Sequence, residues 1–239
     1  MLAIIKSEFQ KSKRSAVNKF VIMAPIMTLL LCYFLGGGQN GAYNWWVVMF
    51  LPGLIAILAA MIIGRDKNLE YKGLFLYPKE KALFWIGKTL YVSLLFLFSS
   101  LIFMLGIAMM GLFDQATISL PDNLLAMSIL ILTFLFQIPI CMFLADRFNL
   151  FVATLFNVGM VILSVVSFGT ESIIAYSPYG VGVALMCPIL HILPNGLPVP
   201  KGSPLLVNNG IWSAVLGCML VFIMLVAATA WAFKDREGK

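Results

Sequence analysis

Long apolar blocks separated by short polar stretches run through the whole chain, and the apolar residues within them are continuous rather than alternating. Six blocks, 20–36, 45–64, 89–113, 124–145, 148–169 and 211–233, are long enough to carry a helix across a bilayer core at about 1.5 Å of rise per residue. Continuity argues against a membrane barrel, whose strands alternate lipid-facing and lumen-facing residues. The pattern therefore predicts an all-α integral membrane protein with six transmembrane helices in one domain, 1–239. Nineteen residues precede the first block, and Gly36-Gly37-Gly38 leads into no small-x-small cleavage site. That block reads as a retained anchor rather than a signal peptide.

Composition supports the same class. Of the 239 residues 62% are hydrophobic and 11% charged, against about half and about a quarter in a globular domain. A soluble core has no room for that much apolar surface.

Charge then orients the blocks. Lys6, Lys11, Lys13, Arg14 and Lys19 precede the first; Arg65, Lys67, Lys72, Lys79, Lys81 and Lys88 lie between the second and third; Arg147 lies between the fourth and fifth; Lys234, Arg236 and Lys239 follow the sixth. With six crossings all of these fall on one side, which the excess of positive charge marks as cytoplasmic. Both termini are expected there, in a bacterial cytoplasmic membrane. Lys201 alone is left outside, beside Asp114, Asp122 and Glu171. The net charge of +6 follows from this topology, and no nucleic-acid partner is needed to explain it.

Candidate chemistry is sparse. Cys32, Cys141 and Cys218 lie in apolar blocks and Cys187 in a hydrophobic stretch, without metal-site spacing. His191 is the single histidine and has no acidic or cysteine neighbour in sequence, so no metal site is expected. There is no HExxH and no GxSxG. The blocks hold essentially no ionisable residue, which disfavours an ion-coupled pump; Asp146 and Arg147 sit at the turn after block four and read first as a topological stop. Gly87-Lys88-Thr89 imitates the end of a phosphate-binding loop, but Ala82 stands where that loop needs glycine. This chain is not expected to be an enzyme or to bind a cofactor, so ATP and Mg would belong to a partner subunit.

Residues 65–88 carry most information. Leu69, Gly73 and Leu76 recur at helical spacing, with charge opposite and Pro78 as a stop. The spacing predicts a short amphipathic helix; a solvated surface turn is the plainer reading of the same residues. Met1 to Lys19 is amphipathic too, with Leu2, Ile5 and Phe9 suited to lipid and Lys6, Lys11, Lys13 and Arg14 to anionic headgroups.

Glu70, Gly73, Pro78 and Lys88, set between spans two and three, resemble the intracellular loop of ABC-2-type permeases, and the six-span layout resembles that family over the whole chain. The resemblance implies that 65–88 is a cytoplasmic coupling helix contacting an ABC ATPase subunit, itself a dimer, through Arg65, Asp66, Glu70, Gly73, Pro78 and Lys88. It also makes 1–19 an interfacial helix. Ile4-Ile5-Lys6-Ser7-Glu8, Lys11-Ser12-Lys13-Arg14, Tyr43-Asn44-Trp45-Trp46, Leu51-Pro52-Gly53 and Trp85-Ile86-Gly87-Lys88 look like permease subunits of lantibiotic immunity transporters, the MutE/EpiE group. Those subunits work with a second permease, as heterodimer or homodimer, and an ATPase, removing a cationic antimicrobial peptide from the producer's membrane.

Plainer roles stand beside these. Trp45 and Trp46 serve as interfacial anchors; Ala56, Ala60 and Gly64 form a helix-packing stripe; Pro52 and Pro139 are candidate kinks in spans two and four. Segment 170–210 holds Tyr176, Tyr179 and six prolines, with apolar stretches too short to span. Short re-entrant or outer helices are expected there, as the resemblance also implies. With the acids outside, the expected substrate-facing set is Tyr176, Tyr179, Glu171, Asp122, Trp45 and Trp46. The function reading is an exporter's permease subunit for a cationic peptide; the alternatives are export of another amphipathic or lipid substrate, or a non-transporting membrane scaffold or sensor.

Overall fold

The computed structural model describes residues 1–72, 81–113, 116–170, 174, 177–207 and 210–234. The described residues form helices and connecting turns, with one isolated bridge between Ile192 and Pro198. A short helix α1 (Leu2–Ser12) precedes α2 (Val17–Phe34). Next comes one long rod made of α3 (Gly38–Trp45), a π-helical segment (Trp46–Phe50) and α4 (Leu51–Asn68). Then follow α5 (Lys81–Phe113), α6 (Leu120–Phe134), α7 (Gln137–Arg147), α8 (Leu150–Val166), α9 (Pro178–Ala184), α10 (Met186–Leu190) and α11 (Ile211–Lys234).

Four of these units, Val17–Phe34, Gly38–Asn68, Lys81–Phe113 and Ile211–Lys234, are long and apolar enough to cross a bilayer. The α6–α7 pair, bent by 41°, makes a fifth when it is counted as one broken span rather than a re-entrant loop. The expected span over 148–169 corresponds to α8, whose 17 residues reach about 25 Å at 1.5 Å each, short of a typical hydrocarbon core.

Two starts differ from the sequence expectation. The second rod begins at Gly38 rather than Trp45: Gln39, polar enough to read as loop, is buried and donates to the Ile107 carbonyl, and the half-buried Asn40 accepts from the Thr117 hydroxyl. The third begins at Lys81 rather than Thr89, adding two helical turns before the apolar run.

Both proline expectations have a local counterpart. Pro52 lacks an amide proton and its ring crowds the carbonyl one turn back; the wide π turn over Trp46–Phe50 sits just ahead of it. Pro139 stands at the third position of α7, directly after the break that bends α6 from α7.

The rod containing α4 is the core: 61% of its apolar window is buried, against 28%, 33% and 17% for α2, α5 and α11. It packs against α7, α8, α5 and α2. The outer helices turn Leu105, Met109, Trp212, Leu216, Leu220 and Met224 outward. An exposed apolar surface of that extent suits lipid and not water.

Candidate functional site

Charge is concentrated at one end of the bundle, where α1 lies against the start of α5 and the end of α4. In α1, Ile4, Glu8 and Ser12 follow at four-residue steps and are buried, while Leu2 and Phe9 are exposed. The close approach needs Gly87: a Cβ there would stand 2.6 Å from Ile4 Cγ2. One residue on, Lys88 is wholly buried.

Lys88 Nζ donates to Glu8 Oε1 at 2.9 Å and to Asp66 Oδ2. Lys11 Nζ joins the same two carboxylates, at 2.9 Å to Glu8 Oε1 and 3.2 Å to Asp66 Oδ1. Arg65 Nη2 donates to Ser12 Oγ at 3.0 Å and lies 3.7 Å from Glu8 Oε2. Two carboxylates thus meet three cations drawn from α1, α4 and α5. Burial alone would lower the Lys11 pKa, but Glu8 and Asp66 outweigh it and raise the value above that of an ordinary lysine.

Such a cluster gains little net stability over an apolar equivalent, yet losing one member strands buried charge. Its chemical capacity is mechanical: α1 and the ends of α4 and α5 are fastened together and must move together or break ion pairs.

Beside it, α4 ends in a turn in which Glu70 and Tyr71 both take left-handed backbone conformations, φ +52° and +55°. Two consecutive non-glycine residues there are strained by about 1–2 kcal/mol each. The turn directs the Tyr71 hydroxyl onto the buried Asp146 carboxylate at the end of α7. Lys67 Nζ reaches the carbonyls of Phe148, at 2.7 Å, and Ala145, at 3.2 Å, placing a cation on the carbonyl end of that helix. Trp85 stacks at 4.8 Å on Phe233 of α11 and donates to Thr229 Oγ1 at 2.9 Å.

A second, uncharged node lies deeper. Asn157 Nδ2 of α8 donates to the Pro52 carbonyl and to Gln137 Oε1, both at 2.8 Å, and Asn157 Oδ1 accepts from Tyr179 OH at 3.2 Å. Gln137, Asn157 and Tyr179 are buried, and Gln137 Nε2 has no protein partner. The node joins α4, α8, the α6–α7 bend and α9.

Of the residues expected to contact an ATPase, Arg65, Asp66 and Lys88 converge in the ionic cluster, turned toward α1. Glu70 stands apart, exposed and paired with Lys72 at 2.8 Å, and that hydrogen bond, then the lysine charge, lowers its pKa. Gly73 and Pro78 lie outside the described residues, as do Leu76 and most of the expected coupling helix. Lys11, expected at lipid headgroups, points into the cluster.

Of the expected substrate-facing set, Tyr179 is buried on Phe136, 4.8 Å between ring centres, rather than presented on the outer surface. Trp46, expected as an interfacial anchor, is fully buried and stacked on Phe103 at 4.5 Å at the start of the π segment. Trp45 is exposed as an anchor should be. Asp122 is hydrogen-bonded to Ser119 at 2.6 Å at the start of α6, the carboxylate position a helix N-terminus favours. Tyr176, Glu171 and Asp114 lie outside the described residues. Segment 170–210 contains the short helices α9 and α10, then a turn in which His191 takes a left-handed conformation, φ +57°, closing α10.

Sequence reasoning missed Glu8, Gln137 and Asn157. Glu8 had a signal: it is the only acidic residue before Asp66, in a stretch otherwise basic. Gln137 and Asn157 had one too, since an amide inside an apolar block needs a partner. The four cysteines are buried and free, and among the described residues no group of histidine, cysteine or acid is placed to hold a metal.

These features define a helical protein built for a membrane. Compared with known protein families, curated proteins and solved structures, the chain matches none.

Proposed function

We propose that the chain is the membrane permease subunit of an ABC exporter. In this reading all six blocks cross the membrane, α8 included, and the ionic-cluster end faces the cytoplasm. ATP and Mg are bound by a separate ATPase subunit, and a second permease, identical or different, completes the pore. The single observation that carries the reading is the Glu8–Lys88–Asp66–Lys11 cluster. It fastens α1 to the helix ends that flank the charged segment 69–80, so a push on that segment reaches α1 and two spans at once. A cationic antimicrobial peptide drawn from the outer leaflet is the substrate class implied by the resemblance to immunity permeases.

Glu70 is the exposed acid at the head of that segment and the residue to change. In a reconstituted complex with its ATPase, Glu70→Lys is expected to weaken ATPase association or transport while membrane insertion stays normal, because reversing an interfacial charge removes attraction and adds repulsion. Normal assembly and transport by Glu70→Lys would contradict the coupling role.

A further inference from the structure

A groove of about 510 Å³ runs along the outside of the bundle between α2, the π segment with α4, and α8. Its walls include Met23 and Met27 of α2, Met49 and Phe50 of the π segment, and Phe151 and Leu155 of α8. Ala24 and Gly53 also line it, and their small size is what keeps it open. The volume holds on the order of fifteen methylene-sized groups, taking each at about the 30 Å³ share of a liquid water molecule. A hydrocarbon chain fits both the volume and walls that are apolar apart from Thr154.

Two further observations say what the chain is attached to. Two exposed cations stand within four residues of the wall residues Phe20 and Phe151 at the ionic-cluster end. Lys19 continues the Met23–Met27 line of α2 at the same four-residue step and is exposed, and Arg147 is exposed at the turn leading into the helix that carries Phe151. Thr154 belongs to the groove wall, and its Oγ1 has no hydrogen-bond partner in the protein. Thr28, Thr89, Thr133 and Thr229 each donate to the carbonyl four residues back. Thr154 does not: its hydroxyl oxygen is sealed from solvent without a partner, and a turn of the side chain would bring it to the groove.

We propose that this groove is a specific site for one anionic phospholipid. One acyl chain lies along Met23, Met27, Gly53 and Leu155, its ester carbonyl accepts from Thr154 Oγ1 once that side chain turns to the groove, and its phosphate lies at the Lys19 end, where Arg147 can swing from the Phe143 ring to meet it. The site stands independently of the transport reading, since its geometry does not involve an ATPase or a peptide. It makes the lipid a structural third wall between α2 and α8, which the protein leaves apart.

The test uses the full chain reconstituted in nanodiscs of mixed phosphatidylglycerol and phosphatidylcholine, with retained lipid counted by native mass spectrometry after release. The wild-type protein is expected to keep one phospholipid per chain, enriched in phosphatidylglycerol. A Cβ at Gly53 meets only Val158 Cγ2, at 3.8 Å, so Gly53→Leu fills the groove without a backbone clash and should lower retention about tenfold. Ala24→Leu, on the opposite wall, should do the same and serves if Gly53→Leu does not fold. Thr154→Val should lower retention about threefold to tenfold, the size of one net hydrogen bond. Lys19→Gln with Arg147→Gln should keep a lipid but abolish the phosphatidylglycerol preference. Equal retention by wild type and both filled variants overturns the proposal. So does loss of self-association in the filled variants with lipid unchanged, which would make the groove a protein interface.

Discussion

Lys88 Nζ and Glu8 Oε1 meet at 2.9 Å, eighty residues apart in sequence, with both side chains withdrawn from solvent. That ion pair fastens the first helix to the bundle. Glu8→Ala would leave Lys88, Lys11 and Arg65 facing Asp66 alone. It should destabilise the protein by about 3–5 kcal/mol, the cost of breaking a buried pair. Adding Lys88→Met should recover about 1–3 kcal/mol of that loss. Thermal unfolding of the detergent-solubilised variants reads both, and strictly additive losses would show that the two side chains do not interact.

Gly87 allows the approach that makes this pair possible. Gly87→Ala should push α1 off α5, seen as faster labelling of a cysteine placed at Ser12. Shortening the opposing side chain in Gly87→Ala/Ile4→Ala should return labelling toward the wild-type rate. If Gly87→Ala labels no faster than the parent, the 2.6 Å approach does not govern docking.

The Asn157 node supports a third expectation. Tyr179→Phe keeps the ring on Phe136 and removes one hydrogen bond, costing about 1 kcal/mol. Asn157→Leu leaves the Tyr179 hydroxyl, the Gln137 amide oxygen and the Pro52 carbonyl without their shared partner and should cost more, about 2–4 kcal/mol for the deprived polar groups. Equal thermal stability of the two variants would remove the node's structural role. Tyr179→Ala should lower stability further through lost packing, because the side chain is inside the protein.

The apolar pattern alone made the helical membrane class legible, and Pro139, a candidate kink, stands beside the 41° bend, whereas nothing in the sequence foretold the π segment ahead of Pro52. What stayed hidden was orientation about each helix axis. Trp46 and Tyr179 have the composition of interface residues, and nothing in the local sequence reveals that one stacks on Phe103 or that Asn157 receives the other. Lys88 was legible as a residue that matters, through its place before span three. Its partner was not, because Glu8 lies eighty residues away and became visible only once α1 was docked. Helix starts failed where Gln39 and Asn40 looked like loop but are satisfied by Ile107 and Thr117.

In the proposed arrangement the chain crosses the membrane six times with the ionic cluster on the cytoplasmic side. The direct measurement is labelling of single cysteines, introduced at Asn68 and at Lys201 in a cysteine-free background, with a membrane-impermeant reagent. Both positions are exposed, so neither is masked by burial. The account predicts that Lys201→Cys reacts in intact cells and Asn68→Cys only after permeabilisation. Reaction of Asn68→Cys in intact cells would contradict it.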